Sequence, residues 1–144
     1  LSERKRRGST VERYIVNRLT AKGFACLRAP ASGSKRKQPV PDIVALKDGV
    51  IIIIEVKSRA SEENIYVNRD QAEGITKFSE RSGGELFLAI KSPSGIRFLD
   101  FSKLRQTRGG NFVADKNLIS SGMSLEDLVR HVESKLVKKL DLFA

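Results

Sequence analysis

Apolar positions recur at helical spacing through Val11, Ile15 and Leu19, with Tyr14 and Arg18 beside them, and predict a helix capped by Ser9 or Thr10 and ending at Gly23. Phe24 to Ala29 reads as a strand. The apolar runs around Asp48-Gly49 predict a β-hairpin from Pro41 to Ser58, because both central residues of a type I′ turn need positive φ. Val50 to Val56 is apolar on both alternating faces, the pattern of a strand buried on two sides. Arg59 to Asn68 is polar, with a short strand extension at Ile65 to Val67. Asn68 or Asp70 caps a helix to about Ser82, with Ala72, Ile75 and Phe78 facing in, and Gly83-Gly84 stops it. Glu85 to Lys91 and Ile96 to Phe101 are strands around a Ser92-Pro93-Ser94-Gly95 turn, and the alternation of Arg97, Leu99 and Phe101 suggests an edge. Lys103 to Asn117 reads as polar and irregular. Ser124-x-x-Asp127 resembles a capping box opening a final amphipathic helix through Leu125, Leu128, Val129, Val132, Leu136 and Leu140.

These elements predict an α/β fold: a mixed sheet of about five strands flanked by helices, with the last helix covering an end. The 144 residues suit one domain, 1–144, with a basic arm at 1–8 and a long flexible basic loop at 30–41. The single cysteine, Cys26, permits no intramolecular disulfide. The longest continuous apolar run, Val50 to Ile54, is far short of a membrane span, and SERKRRG leads into no hydrophobic signal region. The expectation is a soluble cytoplasmic protein with no membrane partner.

The hairpin carries the chemistry. With Asp48 and Gly49 as the turn, Lys47 faces Val50, and counting outward places Asp42 opposite Glu55. Directly opposed residues hold their Cβ atoms about 4.5–5.5 Å apart, so two carboxylates are forced together. Lys57 shares their face through the two-residue period of a strand. Like charges at that range repel unless a cation sits between them, and oxygen ligands suit Mg²⁺ or Mn²⁺. Taken singly, an acid at a strand entrance or a Glu-x-Lys at a strand exit is also a common solvated feature.

Charge adds a partner. The net charge is +10, and residues 1–37 alone hold eleven Lys or Arg against two acids. Arg4, Lys5, Arg6, Arg7, Arg28, Lys35, Arg36 and Lys37 are the DNA-contact candidates of this polyanion-binding footprint. Few aromatics interleave them, which favours duplex phosphates over stacking on single-stranded bases. A solvated basic surface is the alternative.

Pro41-Asp42 followed by Glu55-Val56-Lys57 resembles the PD-(D/E)xK signature of the restriction-endonuclease-like nucleases. With an upstream helix bearing Arg7-Gly8 and Glu12, then Arg28 and Ser32-Gly33, the order is similar to the archaeal Holliday junction resolvases. The resemblance runs to the helix containing Gln71; the last forty or so residues match only in their pattern of elements. It implies a structure-selective endonuclease nicking four-way junction DNA in pairs, with Asp42, Glu55, Glu12 and the Val56 carbonyl as metal ligands. By position alone, Glu12 is equally a first-turn acid favoured by the helix dipole. The family pattern also implies a catalytic loop serine, Ser32, with Ser34 close enough to share the assignment, and a glutamine near the site at Gln71, equally compatible with capping. Catalysis would fall to Glu12, Asp42, Glu55, Lys57 and Ser32. Acids, a lysine and no usable Cys or His leave metal-assisted phosphodiester hydrolysis as the fitting reaction, since His131 lies on a polar face. A two-fold substrate needing two cuts suits a homodimer. The family further implies a sliding-clamp contact, for which Leu142 and Phe143 are available, and a nucleoid-associated location. Two rivals stand beside this: a nuclease of the same superfamily acting on linear duplex, and a non-catalytic basic binding protein.

Overall fold

The structure, a computed structural model, describes residues 3–30 and 39–141, with the backbone alone at 3–9, 139 and 141. Arg4, Lys5, Arg6 and Arg7 therefore have no described side chains, and Ser32, Ser34, Lys35, Arg36, Lys37, Leu142 and Phe143 lie outside the described residues.

Helix α1, Glu3–Ala21, leads into β1, Ala25–Arg28. The hairpin follows as β2, Ile43–Lys47, and β3, Val50–Ser58. A short strand β4, Ile65–Val67, opens directly onto α2, Arg69–Ser82, which crosses to β5, Glu85–Ser92. Next come β6, Gly95–Asp100, two short strands β7, Arg105–Gln106, and β8, Phe112–Ala114, then α3, Lys116–Ser120, and α4, Leu125–Asp141. The main sheet has the order β1-β2-β3-β5-β6, antiparallel except for the parallel β3–β5 pair. This is the expected mixed five-stranded sheet.

The two-sided apolar character of β3 explains its central place. Ile52 and Ile54 face Ile15 and Leu19 of α1, with Leu128 and Val132 of α4. Ile53 faces the other way, toward Ala72 and Ile75 of α2. Each fully buried Ile contributes about 1.5–3 kcal/mol from area burial. The capping box forms: Asp127 N donates to Ser124 Oγ at 3.1 Å and Ser124 N donates to Asp127 Oδ2 at 3.2 Å. No described helix is long and apolar enough to cross a membrane.

Several expectations need correction. Helix α1 begins at Glu3, so the basic segment is helical rather than an arm ending at Gly8; its Arg, Lys and Glu are good helix formers and outweigh the roughly 1 kcal/mol that one glycine costs. Helix α4 covers a face of the sheet beside α1 rather than an end, and its Leu140 is exposed. Phe78 sits at the rim of the apolar stripe of α2 and is also exposed. The Ile65–Val67 segment does not extend the hairpin. It pairs with β8 in a separate three-stranded sheet, β4-β8-β7, so Lys103 to Asn117 is not irregular.

Candidate active site

The turn fixes the register on which the site depends. Asp48 has φ 48° and Gly49 φ 83°, the two positive angles of a type I′ turn. Lys47 pairs with Val50, and the ladder runs outward to Ile43 against Ile54. The next pair is Asp42 and Glu55. Asp42 stands one residue before β2 and is laced to β3: its Oδ2 accepts from Val56 N at 2.8 Å, and its own N donates to Glu55 Oε1 at 3.3 Å. Its carbonyl accepts from Ala29 N at 2.8 Å, which ties it to the end of β1. The two carboxylates meet as the hairpin count requires.

Glu55 is only 2% exposed. Burial, and then the negative charge of Asp42, push its pKa up to about 9; nearby Lys57 opposes this without cancelling it. With no cation present, the pair is relieved by a proton held on Glu55. Oxygen donors in close approach, with a proton in the place a cation could take, fit a hard divalent cation.

Gln71 completes the floor of the site. Its Oε1 accepts from Lys57 Nζ at 3.0 Å, and its Nε2 donates to Glu55 Oε2. The capping of α2 falls instead to Asn68, whose Oδ1 accepts from Gln71 N at 2.8 Å. The side chain of Gln71 is thereby free to bridge the acid and the lysine of β3. In the sequence its signals are its place in the first turn of the helix after the hairpin and the family pattern, with capping as the equal alternative.

Glu12 reaches the neighbourhood from α1 but turns toward Arg28, whose Nη2 lies 3.4 Å from its Oε1. Burial and then Asp42 raise its pKa, while Arg28 lowers it. Among the described residues no three Asp, Glu, His or Cys side chains converge as a metal-holding group, while Glu12 lies near enough to Asp42 for the aspartate's charge to act on it. Arg28, a DNA-contact candidate, is thus engaged with an acid. His131 is remote in the register: its Nε2 lies 3.0 Å from Glu85 Oε2 at the start of β5, three pairs before the residue beside Glu55.

A family model described as archaeal Holliday junction resolvase (hjc) matches residues 3–137. The chain belongs to this family. It is 61% identical over 143 residues to a crossover junction endodeoxyribonuclease Hjc of Sulfurisphaera tokodaii, covering 99% of each chain. It is 56% identical over 139 residues to the Hjc of Sulfolobus acidocaldarius, covering 96% of this chain and 97% of that one. The solved structure of Archaeoglobus fulgidus Hjc, a Holliday junction resolvase, superposes with a TM-score of 0.70 at 29% identity, over 81% of this chain and 97% of that one. The resolvase fold is therefore shared, and the expected restriction-endonuclease-like architecture is consistent with it.

Proposed function

We infer that this protein is a crossover junction endodeoxyribonuclease that resolves four-way DNA junctions by phosphodiester hydrolysis. The observation that carries the reading is the Asp42–Glu55 pair with Lys57 alongside, held in a chain of the archaeal resolvase family.

Asp42 and Glu55 would hold Mg²⁺ or Mn²⁺, with the Val56 carbonyl as a further ligand and Glu12 supporting the same charge from α1. Such an ion, when bound, polarises the scissile phosphate and supplies nucleophilic water at neutral pH. Lys57 places its ammonium where negative charge develops on the phosphate, or takes part in orienting and deprotonating the attacking water. Gln71 holds that amine and the outer oxygen of Glu55 in one arrangement, which leaves Oε1 directed to the Asp42 side. Ser32 is assigned to cleavage on the family pattern alone. The basic residues Arg4 to Arg7, Arg28 and Lys35 to Lys37 bind backbone phosphates. Two cuts in a two-fold junction call for a homodimer with one site per subunit, at work on the nucleoid. A sliding-clamp contact through Leu142 and Phe143 is the remaining partner assignment.

A synthetic four-way junction and a matched linear duplex, each incubated with and without Mg²⁺, test the reading. Paired nicks in the junction alone, dependent on the ion, are expected. Equal cleavage of the linear duplex would reassign the enzyme to a restriction or repair type. Binding without cleavage in Mg²⁺ and in Mn²⁺ would reduce it to a binding protein.

A further inference from the structure

The chain beyond β6 builds a tight hairpin whose turn, Thr107 to Asn111, is closed by Thr107 N donating to Asn111 O at 2.7 Å and Gly110 N to Thr107 O at 3.0 Å. Gln106 Nε2 adds a bond to Gly110 O at 3.2 Å. Through β8 the hairpin pairs with β4, the strand that opens onto α2. The turn is also fastened to the first residue of α2. Asn111 Oδ1 accepts from Arg69 N at 3.0 Å, and a Cβ at Gly110, where φ is +93°, would stand 2.8 Å from Arg69 Cδ. Arg69 precedes by two residues the glutamine that joins Glu55 to Lys57. A cleft of about 460 Å³ opens here, bounded by Arg69, Gln71, Gly109 and Asn111, with Pro39 also on its wall.

Three arginines belong to these elements: Arg69 of α2, which lines the cleft, and Arg105 and Arg108 of the hairpin, the last next to the cleft residue Gly109. All are exposed, and none forms an ion pair with an acid among the described residues. Arg18, Arg28, Arg59 and Arg130, by contrast, are engaged by Glu126, Glu12, Glu62 and Asp127. Among the described residues, Asp70 is the one acid lining the cleft. Guanidinium groups with no acid partner, beside a site whose substrate is a phosphodiester, match phosphate in charge and in fork geometry. Gly109 leaves its part of the cleft wall without a side chain.

We propose that the β7–β8 hairpin and Arg69 form a second phosphate clamp, in which Arg69, Arg105 and Arg108 take the DNA backbone beside the scissile phosphate on the α2 side of the site. The clamp rests on the junction-cleaving function above and is built from elements other than the basic helix α1, which packs on the opposite face of the sheet. It gives a role to arginines that otherwise read as ordinary solvated surface.

The test is junction affinity in EDTA across a salt series, for the full chain and for R69Q/R105Q/R108Q. Each phosphate that the protein no longer neutralises flattens the slope of log affinity against log salt by about 0.9, so the triple variant should lose about 2.7 from it and bind at least about tenfold more weakly at moderate salt. R69K/R105K/R108K should retain the slope, and R130Q/K135Q/K138Q on α4 should leave it unchanged. Should the triple variant fail to fold, R108Q alone, a change at the exposed turn, should flatten the slope by about 0.9. A wild-type slope in the neutralised variants, or equal flattening by the α4 set, overturns the clamp. A wild-type protein that neither binds nor cleaves junctions overturns the function itself.

Discussion

Glu12 and Glu55 are two buried or half-buried acids near the same aspartate, and the fold treats them in opposite ways. Glu12 is given a guanidinium, Arg28, which offsets part of what burial and Asp42 do to its charge. Glu55, almost wholly buried, is given Asp42 on one side and a neutral amide on the other. Without a cation, burial and Asp42 together hold a proton on Glu55 rather than leave a bare carboxylate pair, since burying one uncompensated charge costs several kcal/mol. The difference sets Glu12, with its guanidinium partner, apart from Asp42 and Glu55, the two acids of the proposed cation seat.

The largest break in this contrast comes from removing a seat acid. D42N or E55Q should lower Mg²⁺-dependent junction cleavage by about a thousandfold or more, several kcal/mol of transition-state stabilisation, while junction binding in a gel shift survives. Undiminished cleavage in either variant would remove that residue from the mechanism.

Stability against pH sharpens the contrast without using activity. The Glu55 pKa is about 9 in the fold against an ordinary 4.5. Between those values the unfolded chain releases a proton that the metal-free native state retains, so stability in EDTA should fall as pH rises from about 4.5 to 9. E55Q should flatten that dependence and be more stable than wild type at pH 8, by about 2 kcal/mol or more. Chemical denaturation at several pH values measures it; parallel curves for the two proteins would mean that Glu55 is not held protonated.

Gln71 should give a smaller effect. Q71A allows Lys57 to pair directly with Glu55, and a loss of about 10–100-fold in kcat with little change in KM is expected, the usual scale for a residue that orients a metal ligand. An effect on KM alone would make Gln71 a DNA contact instead. The smallest change belongs to the other half of the comparison. R28Q should raise the Glu12 pKa further, because Arg28 is what lowers it, and should cost only about 1 kcal/mol of stability for a partly exposed pair at 3.4 Å. Carboxyl NMR titration of Glu12 in the two proteins reads the shift.

The legible and illegible parts of this molecule divide by range. The β2–β3 hairpin could be read because Asp48 and Gly49 carry their own turn geometry and the flanking residues pair with near neighbours, so the meeting of Asp42 and Glu55 followed by counting. The Ser124–Asp127 box was visible for the same local reason. Strand β8 has three residues, too few to show a period, and finds its partner in β4 about fifty residues earlier. The start of α1 was hidden by Gly8, a break that a run of good helix formers overrides. At the site, the Glu12–Arg28 pair and the bridging amide of Gln71 depend on which helix lands beside which strand end. No spacing along the chain encodes those placements.

Titration of the DNA-free protein with Mn²⁺ by calorimetry, comparing wild type with D42N and E55Q, addresses the cation seat most directly. Saturable binding by the wild type, lost when either carboxyl becomes an amide and retained in R28Q, is the expected result. Equal Mn²⁺ binding by wild type, D42N and E55Q would mean that these two side chains are not where the ion sits.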